Sequence, residues 1–156
     1  TLTLKAEVVH KNPHAFHNSP IAEPDDYLAY VIGVDREFYD VFQSQDTLTV
    51  TLEYARESGA SDPSAVFRPF RDDLILRGLW EPGDFARTSV ELRGIYDIDT
   101  DETIVEAVFD RQLRSIHEDL KLTVQLQLFD APGTGQSLFD FFPDNSSVAV
   151  GLRWDF

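Results

Sequence analysis

Three histidines stand close together in the segment HKNPHAFH, at His10, His14 and His17. Imidazole groups so near one another are ligands that zinc or copper accepts. No helical pattern fixes their spacing, and Pro13 would interrupt a helix there. A polar surface loop with scattered histidines is therefore the favoured interpretation, and a metal site is the alternative.

Two other segments have residue types that suit chemistry. The acidic segment DIDTDE, residues 97–102, has the oxygen-rich composition of a calcium loop but not the glycine and spacing of an EF-hand. Serine stands near histidine at His17 and Ser19, and again at Ser115 and His117. Neither pair has the context of a nucleophile elbow. We therefore expect solvated turn carboxylates, no enzyme and no cofactor.

Composition excludes several classes of protein. The 156 residues suit one domain, residues 1–156, and the chain has no cysteine for a disulfide or a thiolate metal site. Lys and Arg number 13 against 28 Asp and Glu, a formal charge of -15, so the basic footprint that nucleic acid requires is absent. No apolar run is long enough for a transmembrane helix. The chain begins at Thr1 and contains no methionine, so we expect it to be processed or to be part of a longer protein.

The elements that must position these residues are strands. Apolar and polar residues alternate along most of the chain, which predicts an all-β fold. We predict eight strands: Thr1–His10, Tyr27–Phe42, Thr47–Glu57, Asp73–Trp80, Ala86–Ile98, Thr103–Ser115, Asp119–Asp130 and Ser147–Phe156.

The links between the strands alternate in length. The first, third and seventh are long, whereas the second, fourth, fifth and sixth are short, so every even link is short. In an up-and-down antiparallel meander, the even links meet at one end, here named the turn end, and the odd links at the other, named the loop end. Short turns at one end and longer, acidic loops at the other are typical of outer-membrane β-barrels.

The strand faces agree with a barrel. We expect the charged residues of the polar faces to line a lumen: Lys5, Glu7, Asp35, Glu53, Arg77, Glu91, Arg93, Glu106, Lys121 and Arg153. Aromatic residues gather near both strand ends, as two membrane-interface belts would. These are Tyr27, Tyr30, Phe38, Phe42, Tyr54, Trp80, Tyr96, Phe129, Trp154 and Phe156. A soluble β-sandwich or lipocalin-like barrel shows the same alternation and is the alternative, although it would gather its aromatics in mid-strand.

The segment VAVGLRWDF resembles the C-terminal strand of bacterial outer-membrane β-barrel proteins. Those strands end in an aromatic residue, usually Phe, after alternating apolar residues, and Leu152, Trp154 and Phe156 fit that pattern. The resemblance implies that this strand is an assembly signal for the barrel-assembly machinery. It also implies the outer membrane of a Gram-negative bacterium, with the C-terminus periplasmic and the long loops extracellular.

Three further segments look like the C-terminal half of a family of large, poorly characterised proteobacterial outer-membrane proteins. They are YVIGVDREFYDVFQSQDTLTVTLEYARES, FRPFRDDLILRGLW and TIVEAVFDRQLRS. Members of that family are much longer, so the resemblance implies that these eight strands belong to a larger barrel. We expect them not to form a complete closed barrel alone, and whether strand one pairs with strand eight stays open.

Three functions remain open. We expect a porin-like channel or transport-related barrel. The alternatives are a structural barrel that anchors or binds a partner, and a small barrel enzyme that acts on lipid. The expected partners are the bilayer and lipopolysaccharide, whose phosphates the acidic loops would bridge through divalent ions, together with further barrel sequence or another chain.

Overall fold

The computed structural model describes residues 1–11, 27–58, 72–131 and 146–154. These form one sheet of eight antiparallel strands in the order of the chain, which confirms the predicted all-β, up-and-down arrangement. The strands are β1 Leu2–Lys11, β2 Tyr27–Tyr39, β3 Thr47–Ser58, β4 Asp72–Glu81, β5 Ser89–Asp97, β6 Glu102–Gln112, β7 Leu120–Asp130 and β8 Ser147–Trp154.

The sheet is open. Strands β1 and β8 are its two edges, and no ladder joins them among the described residues. This matches the expectation that these residues do not form a complete closed barrel alone. Every side chain described in β1 and β8 is exposed, because each of these strands has a neighbour on one side only.

The register separates two faces. The apolar face contains register rows such as Leu4, Val34, Leu52, Leu76, Gly94, Val105 and Leu128, which lie opposite one another on successive strands. Its leucines are open to solvent: Leu52 is 42% exposed, Leu76 55% and Leu92 56%. No second layer of described residues covers this face.

The opposite, polar face is the more enclosed one. At its centre Thr51 is 7% exposed and Ala55 8%, and Ala55 is the only apolar side chain that is buried in the described ranges. Side chains crowd together on the concave side of a curved sheet and spread apart on the convex side. We therefore assign the polar face to the concave side, the side that faces the lumen when a twisted sheet closes.

The turn between β2 and β3 explains why β2 ends at Tyr39 rather than at the predicted Phe42. Asp46 is 1% exposed, and its Oδ1 accepts the backbone N–H of Val41 at 2.7 Å. Its Oδ2 accepts the backbone N–H groups of Phe42 at 2.9 Å and of Gln43 at 3.2 Å. The N–H groups that a longer β2 would offer to the ladder therefore go to one carboxylate, and the strand stops.

The turn between β4 and β5 delays the start of β5 to Ser89, three residues after the predicted Ala86. Asp84 accepts the backbone N–H of Thr88 at 2.8 Å and its hydroxyl at 2.6 Å. Arg87 has a φ of 48° inside this turn, a left-handed conformation that no strand accommodates. The hydroxyl and backbone donors of Thr88 hold the pKa of Asp84 below its usual value.

The turn between β6 and β7 shortens β6, which ends at Gln112 rather than at the predicted Ser115. The backbone N–H groups of Ile116 and His117 both donate to the Leu113 carbonyl, at 2.8 and 3.0 Å, so the chain coils before β7 begins. Leu113 N–H donates to the Leu120 carbonyl at 2.7 Å and closes the hairpin.

Two of these turns pack against each other. The Gln43 side-chain amide donates to the Pro82 carbonyl at 2.8 Å. Gly83, whose φ is 65°, lies against the Gln45 carbonyl so closely that a Cβ at this position would overlap it. The turn end is therefore a contact surface in which the second link touches the fourth.

Candidate functional site

The candidate site is the polar face, since the register brings charged side chains from all eight strands onto it. All ten residues predicted to line a lumen lie on this face: Lys5, Glu7, Asp35, Glu53, Arg77, Glu91, Arg93, Glu106, Lys121 and Arg153. Alternation along each strand fixes the face, and the ladder register fixes which of them become neighbours.

A ladder of charges crosses the middle of this face. Arg77 donates from Nε and Nη2 to the two carboxylate oxygens of Glu91, at 2.8 and 3.0 Å. Arg93 donates to Glu91 at 2.8 Å and lies 3.3 Å from Glu106. The Gln125 amide donates to Glu106 at 2.6 Å. These five side chains, here named the arginine ladder, join β4, β5, β6 and β7.

Two further ion pairs flank the arginine ladder. Lys5 of β1 pairs with Asp35 of β2. Lys121 of β7 lies 3.1 Å from Asp110 of β6, which also accepts the Thr123 hydroxyl at 2.5 Å. Opposite charges on neighbouring strands stabilise the ladder between them, so the mixed charge of this face holds the sheet together.

Glu53 fits on this face because its cross-strand partner is a glycine. A Cβ at Gly33 would lie 2.7 Å from Glu53 Cγ and 3.2 Å from the Leu52 carbonyl oxygen. The remaining two predicted residues lie near the edges: Glu7 on β1 opposite Val31, and Arg153 on β8 opposite Lys121.

The sequence singled out only part of a row of carboxylates at the loop end: Asp97 and Glu102 belong to the DIDTDE segment, but Asp73 was not connected with them. Asp73, Asp97 and Glu102 lie directly opposite one another on β4, β5 and β6, and are here named the acidic row. Asp73 is 2% exposed and Glu102 is 6% exposed. Alternation with Ile75 and Arg77 was the signal for Asp73, but only the register aligns it with the other two.

The DIDTDE segment is a tight turn that supplies part of the acidic row. Asp97 Oδ1 accepts the backbone N–H groups of Asp99 at 2.8 Å and Thr100 at 3.0 Å. The Tyr96 hydroxyl donates to Asp101 at 2.5 Å. Within the described ranges, no three histidine, cysteine, aspartate or glutamate side chains are placed to hold a metal ion.

The histidines fall on different parts of the chain. His10 is an exposed residue of β1, whereas His14 and His17 lie outside the described residues, as does Ser19. His117 packs its ring 4.9 Å from that of Trp154, and its Nδ1 accepts the backbone N–H of Asp119 at 3.3 Å. The imidazole next to Ser115 is thus engaged in the structure of its turn.

Most of the predicted belt aromatics lie on the apolar face. Tyr30 and Tyr54 contact edge to face at 6.1 Å near the loop end, where Tyr96 lies on the same register row as Tyr54. Phe38 and Trp80 share a row near the turn end, and Phe42 packs edge to face on Trp80 at 5.7 Å. Trp154 and Leu152 continue this face on β8.

Phe129 does not lie on the apolar face with the other described belt aromatics. It pairs with Ile104, which places it on the polar face, because alternation assigns its neighbours Leu128 and Asp130 to the apolar face. An interface belt facing lipid would therefore not include Phe129. The Tyr27 side chain and Phe156 lie outside the described residues.

The chain was compared with protein families, curated proteins and solved structures. No family model, no curated protein and no solved structure matches the chain. Among the described residues, no helix is long and apolar enough to cross a membrane.

Proposed function

We propose that this chain forms part of the wall of an outer-membrane β-barrel and that the barrel acts as a porin-like channel. One observation carries the proposal: a single sheet has an exposed aliphatic face on one side and a cross-strand charge ladder on the other. Lipid is the solvent that suits the first face, and a water-filled lumen suits the second.

The exposed apolar face supports a membrane location. Leucine and valine side chains are exposed along successive strands, from Leu4 at 79% to Leu76 at 55% and Val148 at 69%. Soluble monomers rarely leave a continuous apolar surface of this kind open to water. A membrane-crossing strand needs about 9–11 residues, and β1, β4, β5, β6 and β7 have 10, 10, 9, 11 and 11.

Two neighbouring register rows cross the middle of the apolar face, one from Leu4 to Leu128 and the next from Leu2 to Val148. Among the described residues of these two rows, Arg36 is the one charged side chain. Its guanidinium lies 4.8 Å from the centre of the ring of Phe38, the next residue on this face of β2 toward the turn end. Long cationic side chains at the membrane boundary extend along apolar surface toward the headgroups. Arg36 therefore suits the turn-end side of the proposed span.

The open edges of the sheet decide how wide the lumen of the proposed channel can be. The interior of a closed eight-stranded barrel is filled by side chains, whereas barrels of 16 or more strands leave an aqueous passage. In hydrocarbon, unpaired backbone groups along β1 and β8 would each cost several kcal/mol. Further barrel sequence or another chain, added at these edges, would pair those groups and widen the lumen.

A second candidate function is a structural barrel that anchors or binds a partner. The even number of strands favours it, since β1 and β8 run antiparallel to each other and a ladder between them would close the sheet. The lumen would then be too narrow for solutes. Lipopolysaccharide at the loop end and the barrel-assembly machinery are partners in both cases.

Reconstitution tests the proposal. The purified chain is folded from urea into lipid vesicles, and insertion is measured by protection of the strands from protease. Since eight strands alone leave no aqueous passage, stepwise conductance in planar bilayers is the expected result where copies of the chain pair at their open edges and complete a wider barrel. Protected strands without conductance would favour the structural barrel, and a monodisperse, fully folded protein in detergent-free buffer would contradict the membrane location.

A further inference from the structure

The polar face has more negative than positive charge. Its described carboxylates are Glu7, Asp35, Glu37, Glu53, Glu57, Asp73, Glu81, Glu91, Asp97, Glu102, Glu106 and Asp110. Its cations with described side chains are fewer: Lys5, Arg77, Arg93, Lys121 and Arg153. A concave wall with an excess of one sign of charge concentrates ions of the opposite sign beside it.

The positive charges are not spread evenly. Arg77 and Arg93 belong to the arginine ladder, and Lys5 and Lys121 have carboxylate partners of their own. The acidic row contains no cation, and Ile75, Ile95 and Ile104 form the register row between it and the arginine ladder. Four residues along a strand span about 13 Å, so the backbone positions of the arginines are set back from the acidic row.

Asp73 shows that the acidic row is not satisfied within the sheet. Its carboxylate is 2% exposed and lies directly opposite Asp97, and its Oδ2 accepts no hydrogen bond from the described part of the chain. Like charges opposite each other on neighbouring strands repel, and a buried acceptor without a partner costs free energy. A cation beside the acidic row would relieve both costs.

We propose that the acidic row attracts small cations at the loop-end mouth of the lumen, so that the pore passes cations in preference to anions. This inference rests on the proposed channel function. Cation channels use rings of Asp and Glu, and conduction requires attraction weak enough for the ion to leave. Within the described ranges no three such side chains are placed to hold a metal ion, so the acidic row lacks the geometry of a tight metal site.

Reversal potentials test the inference. The full chain is inserted into planar bilayers of zwitterionic phosphatidylcholine with a ten-fold gradient of KCl, from about 0.1 to 0.01 M. We expect a reversal potential of the sign that K⁺ preference gives, falling as both solutions are raised toward about 1 M, where charges are screened beyond about 3 Å.

Isosteric variants locate the effect. Asp97→Asn and Glu102→Gln each remove one charge, and each should lower the ratio of K⁺ to Cl⁻ permeability. The K⁺ permeability itself should fall by up to about five-fold for an ion passing within about 4 Å. Asp130→Asn is the matched control. Asp130 lies at the same end of the sheet but on the apolar face, so its loss should leave the ratio unchanged.

The outcomes separate the two proposals. Conductance with no ion preference or with Cl⁻ preference would overturn cation attraction and leave the channel standing. An equal effect of Asp130→Asn would also overturn it. Inserted protein without conductance would overturn the channel and this inference together. The native chain alone decides the sign, so the test does not depend on how well the variants fold.

Discussion

The indole N–H of Trp80, a side chain on the apolar face of β4, donates a 2.9 Å hydrogen bond to Oδ2 of Asp46 in the turn between β2 and β3. The same carboxylate collects backbone N–H groups from the turn, and Phe42 packs its ring on the indole. Trp80 thereby fixes a turn that lies outside its own hairpin. An aromatic residue of the kind that marks a membrane boundary is also a structural part of the turn end.

Replacing the indole tests this link. Trp80→Phe keeps a ring beside Phe42 but removes the donor to Asp46, so the midpoint of thermal unfolding should fall by about 2–4 °C. A double-mutant cycle with Asp46→Asn is the control. If the hydrogen bond joins the two residues, the effects of the single changes will not add. Additive effects would show that Trp80 acts through its area alone.

Stability should depend on pH through Asp46. Burial alone would raise the pKa of Asp46, but the indole N–H of Trp80 and the backbone N–H groups of Phe42, Val41 and Gln43 hold it below the usual value. A lowered pKa stabilises the fold above the unfolded-state value of about 4, and that contribution is lost as the pH falls through the lower, folded value.

Thermal unfolding followed by circular dichroism from pH 7 to pH 2.5 measures this loss. We expect the midpoint to fall below about pH 4 in the native chain and to fall less steeply in Asp46→Asn, which cannot titrate at that position. Parallel curves for the two proteins would contradict the assignment to Asp46.

The contact between turns predicts different outcomes for two glycines. Gly83→Ala places a Cβ against the Gln45 carbonyl at a φ of 65°, so it should destabilise the fold by about 1–2 kcal/mol or more. Gly78→Ala, in the middle of β4, puts its Cβ into open space and should be neutral or stabilise by up to about 1 kcal/mol. Urea unfolding of both variants measures the difference, and equal costs would show that the turns do not touch in solution.

Neighbouring residues of β7 test which face meets lipid. Val124 lies on the apolar face opposite Val150, and Gln125 lies on the polar face, where it donates to Glu106. Val124→Arg should cost about 2–4 kcal/mol if its position is near the bilayer midplane. Gln125→Arg should cost much less, since an arginine there meets Glu106. Folding titrations in vesicles compare the two, and equal costs would argue against a lipid-facing row.

The sequence predicted the strands and their faces because the backbone of a strand fixes a side-chain period of two. It predicted the ends of β2, β5 and β6 less well. The ends of β2 and β5 depend on which backbone N–H groups the carboxylates of Asp46 and Asp84 collect, and the end of β6 depends on the N–H groups that the Leu113 carbonyl accepts. A pattern of apolar residues does not reveal these contacts. Phe129 was grouped with the belt by its position along the strand, although alternation places it on the other face.

The polar face was predictable as a set of residues but not as an arrangement. Alternation places Arg77, Glu91 and Glu106 on one face, yet their contacts depend on the register that each turn sets. The acidic row shows this most clearly. Asp73 and Glu102 are 29 positions apart in the chain, and they become neighbours of Asp97 only because the ladders on both sides of β5 align them.

Every ladder described in the sheet joins strands that are consecutive in the chain. The sheet is therefore modular, in the way that a solenoid is: its unit is the hairpin, and each hairpin depends directly on its two neighbours alone. A pair of strands inserted or deleted between two such units would change the circumference of a barrel without requiring a new core. A barrel built from such units would change its width by the duplication of hairpins, while the pairing within each hairpin stays the same.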